Sequence, residues 1–229
     1  MFWKYVRVVF PILLTALLLI GCDGSQPDGE DGKYLLLANK QHPLRESYVP
    51  EGLSAIPTEL TLYGKEIGME NAAAVAAVKL IRALHDEGYT DIVITSGYRT
   101  YAYQQSLFNN YVRQEQEKHP DWSQERCEQE VLTYSARPGT SEHQTGLCMD
   151  LISTENVVLD ESFARNPAYE YLRENAHRFG FILRYPKGKE TVTGYTYEPW
   201  HYRYVGVEVA ERMHAADPSM TLEEYLAGN

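Results

Sequence analysis

Two histidines of this chain lie beside carboxylates at points where regular structure is interrupted. His143 stands in SEHQTGLCMD between Glu142 and Asp150, and His201 closes EPWH three residues after Glu198. Neutral imidazoles and carboxylates that converge from separate segments form metal centres, and a set of three ligands leaves one position for water. The pattern therefore predicts a metal site with an acid to spare for proton transfer.

The other histidines have simpler interpretations. Three of them fall on amphipathic helical patterns beside charged residues: His85, His177 and His214. His119 ends a helical pattern just before Pro120, where a cation suits the helix dipole. We expect these four to lie at the surface. A lone loop histidine is also common, so His143 is notable only through the string around it.

The segments around the site residues predict how they are positioned. DIVITSGYR has the β-branched run of a buried strand, which delivers Arg99 at its carboxyl end. RPGTSEHQTG is too rich in glycine, proline, serine and threonine to be regular, so we place His143 on a loop. LCMDLIS alternates as a strand does, and it carries Asp150.

The segment GYTYEPWHYRYVG is predicted to be a strand that is interrupted at Pro199. Residues three apart on an unbroken strand face opposite sides of a sheet. A kink at Pro199 would therefore let Glu198 and His201 address one metal ion.

Helical patterns surround these strands. Apolar spacing and capping residues predict helices over 71–87, over 102–118, from the N-cap Ser123, within NPAYEYLRENAHRFG and over 207–216, with a capping box between Thr221 and Glu224. Helices come first and the strands cluster later. This order predicts an α+β fold with a small, mainly antiparallel sheet flanked by helices.

The amino-terminal segment resembles a secretory leader. Two cations precede a short apolar run, which is too short to span a bilayer comfortably, and LIGC at its end resembles the lipobox of bacterial lipoproteins. We predict a signal peptide over 1–22 ending at Cys22, a flexible acidic tether over 23–33 and a folded domain over 34–229. Cys22 would be lipidated, anchoring the domain to the outer face of the cell membrane. An uncleaved signal anchor is the alternative.

The net charge limits the expected binding partners, and the cysteine content limits the expected disulfides. The formal net charge is −11, which would repel phosphate backbones, so we expect no nucleic-acid partner. With Cys22 lipidated, Cys127 and Cys148 remain in a compartment that permits disulfides, and their spacing leaves pairing open. Zinc ligation by Cys148 is another option, although a small buried residue is the more ordinary role.

Three motifs in order resemble one family. SEHQTGLCMD resembles the SxHxxGxxxD signature of the zinc D-Ala-D-Ala carboxypeptidases of the LAS or VanY type, EPWH resembles their ExxH segment, and SGYRTYAYQQ resembles their SGYR stretch. LLLANKQHPLRESYVP extends the resemblance upstream, so that it covers about 34–206. It implies the fold that these peptidases share with the Hedgehog signalling domain.

The resemblance also implies roles for individual residues. One zinc ion would be bound by His143, Asp150 and His201, and Glu198 would be the general base. Arg99 would stabilise the developing oxyanion, and the substrate would be contacted by Ser141 and Gln104. Cys148 departs from the family, whose members usually carry a small apolar residue there.

The implied function is hydrolysis of the terminal D-Ala-D-Ala bond of peptidoglycan stem peptides or their precursors, by a D,D-carboxypeptidase. An L,D-carboxypeptidase acting on tetrapeptide stems would use the same residues. A zinc-stabilised domain that binds the cell wall without cleaving it is a further alternative, but such a domain needs no base at Glu198.

Overall fold

The computed structural model describes residues 32–228 of the chain. The predicted leader, Cys22 and most of the predicted tether lie outside these residues. Gly32–Tyr34 forms a 3-10 turn, and Lys33 makes an ion pair of 2.9 Å with Glu70. None of the helices in 32–228 is long and apolar enough to cross a lipid bilayer.

The described helices and strands alternate irregularly along the chain. The strands are β1 (Leu53–Ala55), β2 (Gly68–Glu70), β3 (Ile92–Ser96), β4 (Cys148–Ser153), β5 (Phe181–Leu183) and β6 (His201–Tyr204). The helices are α1 (Asn71–Asp86), α2 (Tyr101–Lys118), α3 (Gln124–Tyr134), α4 (Pro167–Asn175), α5 (Glu190–Thr193), α6 (Val207–Ala216) and α7 (Leu222–Ala227).

Two antiparallel sheets organise the fold. One is the β1–β2 pair, and the other has four strands in the order β3-β4-β6-β5. Every pairing between these strands is antiparallel. The prediction of an α+β fold with a small antiparallel sheet is confirmed.

The four-stranded sheet has two different faces because alternate residues of a strand point to opposite sides. One face packs against α1 in the main apolar core, which includes Leu80, Ile81, Leu84, Ile94, Met149, Leu151, Phe181 and Tyr202. Strand residues between these core positions face the other way: Cys148, Asp150, His201 and Arg203. The polar residues of the predicted site therefore share one face of the sheet.

Helix ends follow the capping signals in the sequence. The side chain of Thr221 and that of Glu224 form the predicted capping box, and Ser123 caps α3 by accepting a hydrogen bond from Arg126 N–H. Helix α1 ends one residue before the predicted boundary, and Gly88 follows it with φ of 98°.

The prediction for the EPWH segment is wrong in one respect. Glu198, Pro199 and Trp200 precede β6, and the N–H of His201 donates to the carbonyl of Glu198 at 3.1 Å, which closes a turn. No kinked strand is needed, because a turn already brings residues three apart onto the same side. The predicted loop around His143 is likewise more regular, being a 3-10 helix over Glu142–Thr145.

Gly97, directly after β3, lies too close to another chain segment to carry a side chain. A Cβ at this position would lie 2.6 Å from the carbonyl oxygen of Gly68 and 2.7 Å from Ile67. The same carbonyl of Gly68 accepts a hydrogen bond from Tyr98 N–H at 2.7 Å. The absence of a side chain at Gly97 therefore lets the end of β3 pack against β2.

We expect Gly97→Ala to lower the free energy of unfolding by about 1–3 kcal/mol, as overpacking does. The matched control is Gly68→Ala, whose Cβ would meet nothing closer than 3.8 Å and should change stability by less than about 0.5 kcal/mol. Urea denaturation of both variants measures the difference. Equal stability of the two variants would contradict this role for Gly97.

Candidate metal and active site

Strand register brings the first two predicted ligands together. Asp150 on the central strand β4 is paired directly with His201 on β6. Residues in such positions have Cβ atoms about 5 Å apart. Consequently Nδ1 of His201 lies 3.0 Å from Oδ1 of Asp150, and both residues are buried.

His143 reaches the same point from the 3-10 helix before β4. Its Nδ1 lies 2.7 Å from the carbonyl oxygen of Gly97, and its own carbonyl accepts a hydrogen bond from Arg99 N–H at 3.0 Å. Because a carbonyl oxygen only accepts, Nδ1 must carry the proton, and Nε2 keeps its lone pair. That Nε2 lies 3.2 Å from Oδ2 of Asp150.

These contacts are short, yet several of their atoms make no hydrogen bond. His143 Nε2 and Asp150 Oδ1 are buried without a hydrogen-bond partner, although each has a neighbouring polar atom within 3.2 Å. Buried polar atoms without partners are costly and rare. An ion placed between them would satisfy them, and separations of 3.0–3.2 Å fit the ligand–ligand edge of about 3.3 Å expected around tetrahedral zinc. The residues present therefore fit a zinc ion.

Glu198 occupies the position of a base beside these ligands. Its Oε2 lies 3.6 Å from Nδ1 of His201, because of the turn that precedes β6. Burial raises the pKa of Glu198 to about 7, against the opposing effect of the nearby His201. A carboxylate with such a pKa can both accept and release a proton near neutrality.

Arg99 enters the site from the segment after β3. Its Nη2 lies 3.5 Å from Oδ2 of Asp150, and its Nη1 donates to Oε1 of Gln104 at 3.0 Å. The amide nitrogen of Gln104 donates to the carbonyl of Ala136 at 2.8 Å. Gln104 is buried and its amide group is bonded within the protein. Gln104 thus holds Arg99, and its contact with substrate stays a prediction.

All the predicted site residues within 32–228 line one cavity of about 240 Å³. They are Arg99, Gln104, Ser141, His143, Asp150, Glu198 and His201. The remaining walls are mostly aromatic and aliphatic side chains, among them Leu107, Tyr111, Tyr134, Leu159, Tyr185, Tyr195 and Trp200. Cys22 lies outside the described residues.

A buried charge cluster behind the site is absent from the sequence analysis. Oε1 of Glu142 accepts hydrogen bonds from Nε of Arg184 at 2.7 Å and from Nη1 of Arg203 at 2.5 Å. Its other oxygen lies 3.5 Å from Nε2 of His201. Burial opposes ionisation of Glu142, but the two guanidinium groups hold its pKa well below the usual range. Glu142 thus remains an anion and favours a proton on Nε2 of His201, which leaves Nδ1 free for a metal.

Two arginines in apolar strand segments were the available signal for this cluster. Arg184 follows FIL and Arg203 lies within HYRY, and both are fully buried. Charged residues are rarely buried unless they are paired. Glu142 had been identified only as an acid near His143. The structure places its carboxylate against His201 instead.

Cys127 and Cys148, the cysteines of the described residues, are buried and unpaired, so no disulfide joins them in this structure. Cys127 lies on α3, with Sγ 3.6 Å from Oε1 of Gln116. Cys148 begins β4, two residues before Asp150 and therefore on the same face of the strand.

Known proteins are similar to this chain in sequence and in fold. A family model described as VanY, D-alanyl-D-alanine carboxypeptidase, matches residues 66–207. The D-alanyl-D-alanine carboxypeptidase of Enterococcus faecalis is 38% identical over 192 residues, which cover 84% of this chain and 65% of that relative.

Solved structures extend the similarity. The LdcB LD-carboxypeptidase has a TM-score of 0.72 and 38% identity, covering 85% of this chain and 86% of the other. The vancomycin-resistance D,D-pentapeptidase VanY from a VanB-type cassette, solved with Zn(II), has a TM-score of 0.69 and 34% identity, covering 85% and 99%. VanYB has also been solved with D-alanine-D-alanine. The chain belongs to the VanY family of D-alanyl-D-alanine carboxypeptidases.

Proposed function

We propose that this protein is a zinc-dependent D,D-carboxypeptidase that hydrolyses the terminal D-Ala-D-Ala bond of peptidoglycan stem peptides or their precursors. The observation that carries the proposal is the convergence of His143, Asp150 and His201 on one point, with Glu198 beside it. The family relationship, the zinc in one VanY structure and the D-alanine-D-alanine in another support the metal and the substrate class.

The proposed ligands are Nε2 of His143, a carboxylate oxygen of Asp150 and Nδ1 of His201. Bound zinc would supply a Lewis acid that polarises the scissile carbonyl and activates water. Glu198 takes a proton from the attacking water and passes it to the leaving amine. Arg99, a fixed cation held by Gln104, stabilises the negative charge that develops on the carbonyl oxygen. Ser141 lines the same cavity and is proposed to contact the substrate.

An L,D-carboxypeptidase acting on tetrapeptide stems is the second candidate. It is favoured by the similarity to LdcB, whose TM-score of 0.72 slightly exceeds that of VanY. Both activities would use the same ligands and the same base. A domain that binds the cell wall without cleaving it is disfavoured, because it would not need Glu198 buried at the metal position.

The activity is tested by incubating the zinc-loaded chain with synthetic pentapeptide and tetrapeptide stems and identifying the products by mass spectrometry. We expect the pentapeptide to lose one D-alanine. Cleavage of the tetrapeptide alone would establish the L,D activity instead, and no cleavage of either peptide with zinc bound would support the binding domain.

Glu198→Ala should slow D-alanine release by about 10²–10⁴-fold while zinc content stays unchanged. Glu211→Ala, an exposed acid on α6, is the control and should be fully active.

A second prediction concerns Glu142, which we propose positions His201. Glu142→Gln removes the charge that meets both arginines, so the free energy of unfolding should fall by about 3–5 kcal/mol. Loss of its contact with a metal-binding histidine should also weaken zinc affinity about 10–100-fold. Competition with a chromophoric chelator, under conditions where the variant is folded, measures the affinity.

Glu223→Gln is the matched control for that experiment. Glu223 also pairs with Arg184, at 2.7 Å, but it belongs to α7 and has no contact with His201 among those the structure shows. It should destabilise the fold while leaving zinc affinity within about twofold of the parent. An equal loss of zinc affinity in both variants would rule out a specific role for Glu142.

We also propose that the domain is a lipoprotein, held outside the cytoplasm by a lipid on Cys22 and an acidic tether. The support is the LIGC string after a short apolar run. Cells that express the full chain should incorporate labelled fatty acid into it, and Cys22→Ser should abolish that label. Cys127→Ser, a cysteine within the folded domain, should keep it. Labelling that survives Cys22→Ser would contradict the anchor.

A further inference from the structure

A thiol lies against the same two imidazoles that the metal would use. Cys148 Sγ and one ring nitrogen each from His143 and His201 all lie within 4.8 Å of one another. Cys148 is fully buried, and its sulfur is in no disulfide. The Cys148 side chain lies on the site face of β4, because Cys148 and Asp150 are two residues apart and alternate residues of a strand face the same side.

The groups around this thiol have lone pairs to offer and no partner that uses them. His143 Nε2 and Asp150 Oδ1 make no hydrogen bond, and both residues are at most 5% exposed. A cation satisfies such a set, whereas further hydrogen-bond acceptors would not. Sulfur adds a soft donor to nitrogen and oxygen donors, and soft donors select thiophilic metal ions.

We propose that Cys148 is a thiolate ligand for divalent cations softer than zinc at this site, together with His143 and His201. The thiol proton passes to solvent when the sulfur binds. This inference rests on the metal site proposed above, but it does not depend on the hydrolytic reaction. Cadmium is the probe, because it binds sulfur more strongly than oxygen donors.

Ligation by Cys148 would change what the site can do. If Asp150 stays bound as well, a cation held by His143, His201 and Cys148 has four protein ligands, which is the closed arrangement of structural metal sites. Hydrolysis needs a position open to water. A cation that retains the sulfur is therefore expected to inhibit D-alanine release, and removing the sulfur should relieve that inhibition.

Cys127 provides an internal comparison. It is also buried and unpaired, but in the described part of the chain it belongs to no group of potential metal ligands. A cysteine that serves only as a small apolar residue is the ordinary alternative for both positions. Cys148 has potential metal ligands beside it and Cys127 has none among the described residues, so a bound metal ion should contact the sulfur of Cys148 and not that of Cys127.

The test is a cadmium titration of the metal-free full chain carrying Cys22→Ser. Binding is monitored through the thiolate-to-cadmium charge-transfer absorption in the ultraviolet. We expect the absorption of one thiolate in this parent and in a variant that adds Cys127→Ser. Adding Cys148→Ala or Cys148→Ser should remove the absorption and weaken cadmium binding about tenfold or more. The two replacements guard against one that fails to fold.

Two outcomes would overturn the inference. In the first, the parent binds cadmium without thiolate absorption, a result that requires no variant and leaves the metal site itself intact. In the second, the absorption persists in Cys148→Ala. If the parent binds neither cadmium nor zinc, the metal site proposed above fails as well, so the two failures are distinguishable.

Discussion

The rest of this structure depends on one buried anion. Glu142 is fully buried, and the guanidinium groups of Arg184 and Arg203 that surround it are buried as well. Removing such charges from water costs several kcal/mol for each ion, and only complete pairing offsets that cost. Nη2 of Arg203 donates to the carbonyls of Tyr34 and Leu36, both at 2.8 Å, and its Nε donates to the carbonyl of Tyr204 at 3.0 Å. Burial of one carboxylate thus fixes two strands and the start of the folded chain.

The same carboxylate connects stability to chemistry. One of its oxygens satisfies the arginines, while the other faces His201 and orients the imidazole through Nε2. His143 is oriented by the carbonyl of Gly97, a neutral group, and not by a charge. The two histidines therefore expose different ring nitrogens toward Asp150, Nε2 for His143 and Nδ1 for His201. A single ion can bind both because each ring turns its other nitrogen toward a protein oxygen, that of Gly97 for His143 and that of Glu142 for His201.

Local signals in the sequence predicted much of this arrangement, but contacts between residues far apart in the sequence were not predicted. Periodicity and capping residues located α1, α3 and α7, since those signals act within a few residues. The motif around His143 located the chemistry. The turn at Glu198 was predicted as a kinked strand, because Pro199 indicates a break but not its form. The pairing of Glu142 with Arg184 and Arg203 spans 42 and 61 residues, and no local pattern encodes a contact at that distance.

Substrate choice within the family must reside outside the residues that do the chemistry. The chain resembles both an LD-carboxypeptidase and a D,D-pentapeptidase in fold and in sequence. The scissile bonds of the two substrates differ in the configuration of the residue that supplies the carbonyl, whereas water, base and metal meet the same carbonyl in both. Discrimination therefore falls to the walls that this residue's side chain touches, and the uncharged walls of this cavity include Tyr185, Tyr195 and Trp200. Because one methyl group in an apolar pocket is worth only about 1–3 kcal/mol, steric exclusion by these rings is a stronger means of selection than attraction.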